Sequence, residues 1–593
     1  MNHSAKSGDF LGHPKGLYVC FATEMWERFS FYGMKYLLLL YLTKYHLFSD
    51  ADGLDVLGAY AGLVYALPVI GGLIADRYLG MRRAVFFGAI LLCIGHLLMA
   101  VEGQQAIYYA AGTQLTTDLA LADGSVLAAG TVLETAITKQ DTAALNMFYL
   151  ALTFIVAGVG FLKPNISVIV GKLYPENDPR RDSGFTLFYM GINVGAMVAT
   201  LVCGWLGETY GWNYGFGLAG IGMVIGMLTF WLGQPYLLGH AESPCTDWLN
   251  SRVSGIKREW WIYLATLPVM ALIFFLIQSE PVVHITQNIF LLIGIVGILA
   301  YSMIYPATIS QRRTVVLFAA AVIVLGLGTI LTQNKVITVS DNVVEYLLYF
   351  SVVVLLFFVG YGFLRHRSVE FTRTLVLMVL IISTVVFWSL FEQGAGSMTL
   401  YADRVLDRDI GGVTFVASQV AALNPAFIML FALPFAFLWP WLESRKLNPS
   451  TPVKFALGTI QAGLGFGALV IGSHYPDESG KVAAIWMVLA YLFHSTGELC
   501  LSPIGLSAVT KLSIPRVVGV SMGTWFVATA LSETLATRLS KLAAIDTASV
   551  TDPLQILATY TQLFEFLMWL GVGFGIFMLL ISPLLKKGMG GIR

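Results

Sequence analysis

Glu24, Glu27 and Arg28 stand within five residues of one another in the middle of the chain's first apolar segment, and Lys35 follows two turns later. A carboxylate in a low-dielectric setting can hold a proton at working pH, a nearby cation favours its release, and a guanidinium fork can grip a carboxylate bidentately. Insertion scales charge roughly 2.5–3.5 kcal/mol for each ionised group at the centre of a spanning helix, so about 10 kcal/mol opposes this segment unless its charges meet one another or water. At about 100° per residue, Glu24, Glu27, Arg28, Phe31, Tyr32 and Lys35 share an arc of roughly 140°. They form one stripe, and that stripe must face a cavity.

The elements that carry such a stripe are membrane helices. The chain is 57% hydrophobic and 12% charged, against about 25% charged in ordinary soluble domains. Its apolar blocks run at about 17–42, 55–75, 84–102, 145–170, 184–209 and 213–238, then 259–279, 286–308, 314–333 and 342–364, then 373–394, 416–440, 455–473, 482–507, 517–540 and 558–585. Sixteen spans are therefore expected in an all-α polytopic membrane protein. With the N-terminus inside, that side holds 24 of the 35 Lys and Arg, including Arg77, Arg82, Arg83, Lys172, Arg180, Arg181, Arg365, Arg367, Lys586 and Lys587. The opposite loops hold eight, so both termini should be cytoplasmic. Zero net charge argues against a nucleic-acid partner. Cys20, Cys93, Cys203 and Cys500 fall in spans and Cys245 in a loop, which suggests neither a disulfide framework nor a metal site.

The spacing divides the chain into a six-span bundle (1–240), a linker region with four spans (241–370) and a second six-span bundle (371–593). Within the first, the outer loop 103–144 carries two alternating β-branched stretches around Asp123-Gly124, the pattern of a small periplasmic hairpin. The inner loops 75–83 and 442–447 echo each other, as do Lys163-Pro164 in span 4 and Glu498 with Pro503 in its counterpart. Parallel repeats with polar, Pro-interrupted segments place a transport site at their interface. The four middle spans carry almost no charge and are expected to lie outside the transport path.

Glu24-Met25-Trp26-Glu27-Arg28-Phe29-Ser30-Phe31-Tyr32-Gly33 resembles the ExxERFxYYG signature of the proton-dependent oligopeptide transporter family, within the major facilitator superfamily. Phe161-Leu162-Lys163-Pro164-Asn165, Phe188-Tyr189-Met190-Gly191-Ile192-Asn193, Phe387-Trp388-Ser389-Leu390-Phe391-Glu392-Gln393, Asn424-Pro425, Gly497-Glu498-Leu499 and Trp525-Phe526 also match, in family order; Gly71–Arg77 matches the superfamily. The resemblance implies a major facilitator fold of two six-helix bundles, with two helices between them rather than the four counted, 14 spans in place of 16. Two departures stand out: Phe31 replaces a tyrosine, and Gly58 stands where mammalian relatives carry a proton-coupling histidine. Coupling here should rest on carboxylates.

The implied function is proton-coupled import of di- and tripeptides by alternating access, in a monomer of a bacterial inner membrane that uses a proton gradient and no cofactor. Such a peptide is a zwitterion that can be held by its ends. Arg28, Lys35 and Lys163 would make the cationic pole, Glu392 and Glu498 the anionic one, and Asn193 and Asn424 neutral hydrogen bonds. Tyr32, Tyr65, Trp388 and Trp525 would line side-chain pockets. Glu24, Glu27, Arg28, Lys163 and Glu392 would carry coupling, with Glu392 bridging to Lys163 or Lys35 across the bundles. The plain alternative for Glu24, Glu27 and Arg28 is a static buried ion cluster, and for the aromatics, packing. His96 and His494 read as interior histidines, a proton relay being the alternative. Gly519-Val520-Ser521-Met522-Gly523 fits a nucleophile-elbow pattern but lacks the preceding strand. Two rival functions are a related carrier of nitrate or another small anion, and a multispanning membrane transferase. The first often lacks the full ExxER pattern, and the second needs an acidic or histidine-rich loop that this chain does not have.

Overall fold

The computed structural model describes residues 8–592 other than 122–124, 176, 177, 179, 305–308, 367 and 546–549, so Asp123, Gly124 and Arg367 lie outside the described residues. Long apolar segments become helices because hydrocarbon offers backbone groups no partner outside the segment itself. The first six are α1 (Lys15–Lys44), α2 (Asp50–Ile74), α3 (Met81–Met99), α4 (Thr142–Lys172), α5 (Arg181–Tyr210) and α6 (Trp212–Gly233). A short α7 (Thr246–Asn250) leads into α8 (Arg258–Ile277), α9 (Glu280–Ile304), α10 (Ile309–Gln333) and α11 (Asp341–Arg365). The second bundle is α12 (Val369–Phe391), a short α13 (Ser397–Arg404), α14 (Leu423–Ser444), α15 (Thr451–Gly472), α16 (Ile485–Leu512), α17 (Val518–Ser540) and α18 (Pro553–Gly588).

Each apolar block of the sequence corresponds to one long helix, with ends displaced by a few residues. The largest displacement is at α14, which starts at Leu423 because Ala417–Ala422 winds as a 3-10 turn instead. Among the described residues, thirteen helices are long and apolar enough to cross a membrane. The charged stripe keeps α1 out of that set. Side-chain caps fix several starts: Ser49, Asp141, Ser368 and Asp552 each accept a backbone N–H of the first turn.

In the first bundle α1 packs on α5 and α6, α3 on α4 and α6, and α2 on α4; in the second, α15 packs on α16 and α18, and α12 on α15 to α18. The bundles meet where α2 lies against α17 and where α5 lies against α14 and the 417–422 turn. Small residues permit the first contact, as in packed membrane helices generally. A Cβ on Gly58 would collide with the Thr537 hydroxyl, and one on Gly62 would come within 2.5 Å of Gln287 Nε2. Any side chain at position 58, a histidine included, would have to displace Thr537 in this arrangement.

In the 103–144 insertion, Ile107–Tyr109 pairs antiparallel with Ile137–Lys139, and Leu119–Ala120 with Val126–Leu127, over a small core of Leu115, Leu119 and Leu133. Asp141 ties it to α4, accepting from Gln104 N at 3.1 Å and Ala144 N at 3.0 Å. Among the described residues, four long helices, not two, separate the bundles. Of these, α8 packs on α4 and α2, and α9 packs against α2, α12 and α17; α10 rests on α9, and α11 on α10.

Candidate functional site

The stripe of α1 runs through the interior of the first bundle. Arg28 Nε lies 3.0 Å from Glu24 Oε1 and 2.5 Å from Glu27 Oε2, and all three side chains are buried. Mutual neutralisation lets one helix carry three charges into the membrane interior. Aromatic faces soften the cost further: the Arg28 guanidinium lies 5.3 Å from the Phe31 ring centre, and Lys163 Nζ 3.9 Å from that of Tyr65. Phe31 therefore presents a ring face where the family signature has a hydroxyl.

Lys35 crosses to the other bundle. Its Nζ donates to Glu392 Oε2 at 2.8 Å and to Glu533 Oε1 at 3.2 Å, so one ammonium serves carboxylates from the end of α12 and the middle of α17. The sequence left Lys163 or Lys35 open as the partner of Glu392; the structure pairs Lys35. Glu533 was missed, although its signal was present: a lone carboxylate inside the 517–540 apolar block.

Glu498 of α16 gathers a second polar group. Tyr189 Oη of α5 donates to its Oε1 at 3.3 Å, and Asn424 Nδ2 of α14 donates to its Oε2 at 3.2 Å and to Ser495 Oγ at 3.0 Å. Tyr189 belongs to the Phe188–Asn193 motif, whose sequence alone does not show that its hydroxyl reaches Glu498. Tyr32, Tyr65, Lys163, Trp388, Glu392, Asn424 and Glu498 each keep part of their surface free, whereas Trp525 and Asn193 are buried. Trp525 packs 6.4 Å from the Phe455 ring, and Asn193 Nδ2 donates to Tyr189 O one turn back, which steadies the helix that presents Tyr189.

Further ion pairs join the bundles beyond Lys35: Lys44 with Asp403 at 2.5 Å, Asp50 with Arg404 at 2.6 Å, and Asp55 with Lys541. All lie toward the end where α1 turns into α2. Beside them a cavity of about 1270 Å³ is walled by Asp52, Tyr108, Gln140, Asp403 and Arg404, under the 103–144 insertion. In the turn after α1, His46 is enclosed by the rings of Tyr41, Tyr45 and Phe148. Burial pushes its imidazole down to about 4, so it stays neutral at working pH. His494 Nε2 lies 3.0 Å from Ala462 O, while His96 is buried without a hydrogen-bond partner among the described residues. Ser521 of the elbow-like motif is buried inside α17.

The sequence matches the profile of the POT family over residues 82–243 and 339–561. It is 31% identical to the uncharacterized transporter YclF of Bacillus subtilis, covering 98% of this chain and 96% of that one. It is 32% identical to the peptide transporter YePEPT of Yersinia enterocolitica, covering 88% and 86%. The fold is similar to the crystal structure of a peptide transporter POT in complex with sulfate, with a TM-score of 0.68, 29% identity and 99% and 98% coverage. With the profile matching well over half of a chain whose helices form two six-helix bundles, this multi-pass membrane protein belongs to the POT family.

Proposed function

We propose that the protein is a proton-coupled symporter that brings di- and tripeptides into a bacterial cell across the inner membrane, with both termini cytoplasmic. The observation that carries the reading is the Lys35 bridge to Glu392 and Glu533 at the junction of the bundles. An ammonium from one bundle, held by carboxylates of the other, favours the conformation in which that end is closed. Protonating a carboxylate weakens the hold and shifts the balance toward opening. With the termini inside, the closed end is the outer gate, backed by Asp50–Arg404 and Lys44–Asp403.

For substrate, Lys163 offers a cationic pole and Glu498 an anionic one on opposite bundles, matched to the two ends of a zwitterion. Tyr32, Tyr65, Trp388 and Asn424 supply faces and hydrogen bonds between those poles, while Arg28, locked on Glu24 and Glu27, sets the local charge. A peptide that spans the poles draws the bundles together, and its binding energy goes into the closure that follows. The name of the Yersinia relative supports peptides over nitrate, as does the intact Glu24–Arg28 signature.

Uptake of a labelled dipeptide into proteoliposomes, with and without an inward proton gradient, tests the reading. Accumulation above equilibrium only with the gradient is expected. Gradient-driven nitrate accumulation in place of peptide would assign the chain to the rival anion carriers.

A further inference from the structure

We infer that the transported proton is shared by Glu392 and Glu533, with Glu533 of α17 serving as a second coupling carboxylate; the inference rests on the proton-coupled reading above. Both carboxylates lie within hydrogen-bond reach of one ammonium: Lys35 Nζ stands 2.8 Å from Glu392 Oε2, 3.2 Å from Glu533 Oε1 and 3.4 Å from Glu533 Oε2. Lys35 and Glu533 are almost wholly buried, and Glu392 keeps 13% of its side chain exposed. With one ammonium and two carboxylates, the cluster carries a net −1 when fully ionised and becomes neutral on taking up a single proton. Two carboxylates at one cation titrate as a unit, so the proton belongs to the pair and not to either residue.

The groups around the cluster do not cancel that charge. On α1, Arg28 is committed to Glu24 and Glu27. Tyr32 and Tyr36 of α1, Tyr60 and Tyr65 of α2, and Tyr491 and Glu498 of α16 bring no cation, and Lys163 of α4, across the Tyr65 ring, is set with Arg28 against the two carboxylates Glu24 and Glu27. On the α9 side, Glu280 is already matched by Arg538 at 2.8 Å, and His284 is bonded to Thr534. The position of Glu533 also gives its charge mechanical leverage. Thr534 and Thr537, one and four residues on, form the face of α17 that receives Gly62 and Gly58 of α2. A change of charge at 533 therefore acts where the bundles separate.

Replacing either glutamate by glutamine leaves one carboxylate on one ammonium, a neutral pair with no proton to deliver. Glu533→Gln should therefore lower gradient-driven dipeptide accumulation in proteoliposomes by roughly tenfold or more, while exchange of labelled for unlabelled peptide stays within about twofold of the parent. Glu533→Asp should recover accumulation. Infrared spectra of the purified full-length proteins without peptide give an independent readout. The protonated-carboxyl band removed by Glu392→Gln near neutral pH should also be removed by Glu533→Gln.

Accumulation by Glu533→Gln within about twofold of the parent would overturn the inference. So would a band that survives Glu533→Gln, or a parent lacking the band. Loss of both accumulation and exchange without rescue by Glu533→Asp would also overturn it, reducing Glu533 to a structural partner of Lys35. If the parent carries no peptide at all, the proposed function fails, and the infrared comparison still decides whether the two carboxylates share a proton.

Discussion

Lys163 meets a tyrosine ring where the other deep cations of the first bundle meet carboxylates. A cation held by a π face loses less on engaging a ligand carboxylate than one already in an ion pair. Lys163→Ala should lower proton-driven dipeptide uptake by roughly tenfold or more, with unchanged insertion and elution by size exclusion; uptake near the parental rate would remove Lys163 from the cationic pole. Glu392→Gln mimics a protonated carboxyl while leaving Lys35 its bond to Glu533. It should abolish gradient-driven accumulation yet permit exchange, since exchange reorients a loaded carrier without net proton movement; surviving accumulation would move coupling to Glu24 or Glu27. The stripe on α1 was legible in the sequence because charge inside an apolar block is costly and therefore conspicuous. Its partners were less so. Whether Glu392 meets Lys35 or Lys163 depends on how two helices from distant parts of the chain rotate and cross, which no local spacing records. Glu533 shares the same conspicuous chemistry, but no neighbouring motif residue marks it as part of the stripe's partner set.

At the scale of the element, the decisive contact is α2 on α17. Hydrophobic periodicity located both helices, since a bilayer demands a continuous apolar segment, but it carried no sign that Gly58 and Gly62 are where the bundles touch. The glycines are spaced one turn apart on one face of α2, a pattern also found where helices merely pack within a bundle. Here the partner face is Thr534 and Thr537 of α17. Gly58→Leu inserts a side chain where even a Cβ collides, so the closed end should be propped open. The expected outcome is a longer distance between spin labels at Ala51 and Ala544, which both line the cavity beside this gate. Dipeptide uptake should fall by roughly tenfold. An unchanged distance with normal uptake would mean that the helices can slide apart at this point without consequence.

At the scale of the whole molecule, the four middle helices differ in what they touch: α8 packs on α4, and α9 on α17, α12 and α2. Low charge made them look alike in sequence, and the few polar residues of α9 gave no hint of a partner. Yet Arg538 of α17 forks onto Glu280 at 2.8 and 3.1 Å, His284 lies 2.9 Å from Thr534 Oγ1, and Thr534 donates to Gln287 at 2.8 Å. These bonds fasten α9 to the helix that also bears Glu533, on the flank of the α2 contact. By comparison, α10 and α11 are layered outward from α9, with most of α11 exposed at the periphery. Replacing 309–365 by a flexible linker removes two helices, an even number that preserves topology, and should leave dipeptide uptake within about threefold of the parent. Replacing 258–365 also preserves topology, but it strands Arg538 against lipid and strips the side of α17, so uptake should fall at least tenfold further. Equal uptake by both monodisperse products would return α9 to the role of bystander. Equal loss in both would show that the outer pair, too, supports the moving seam.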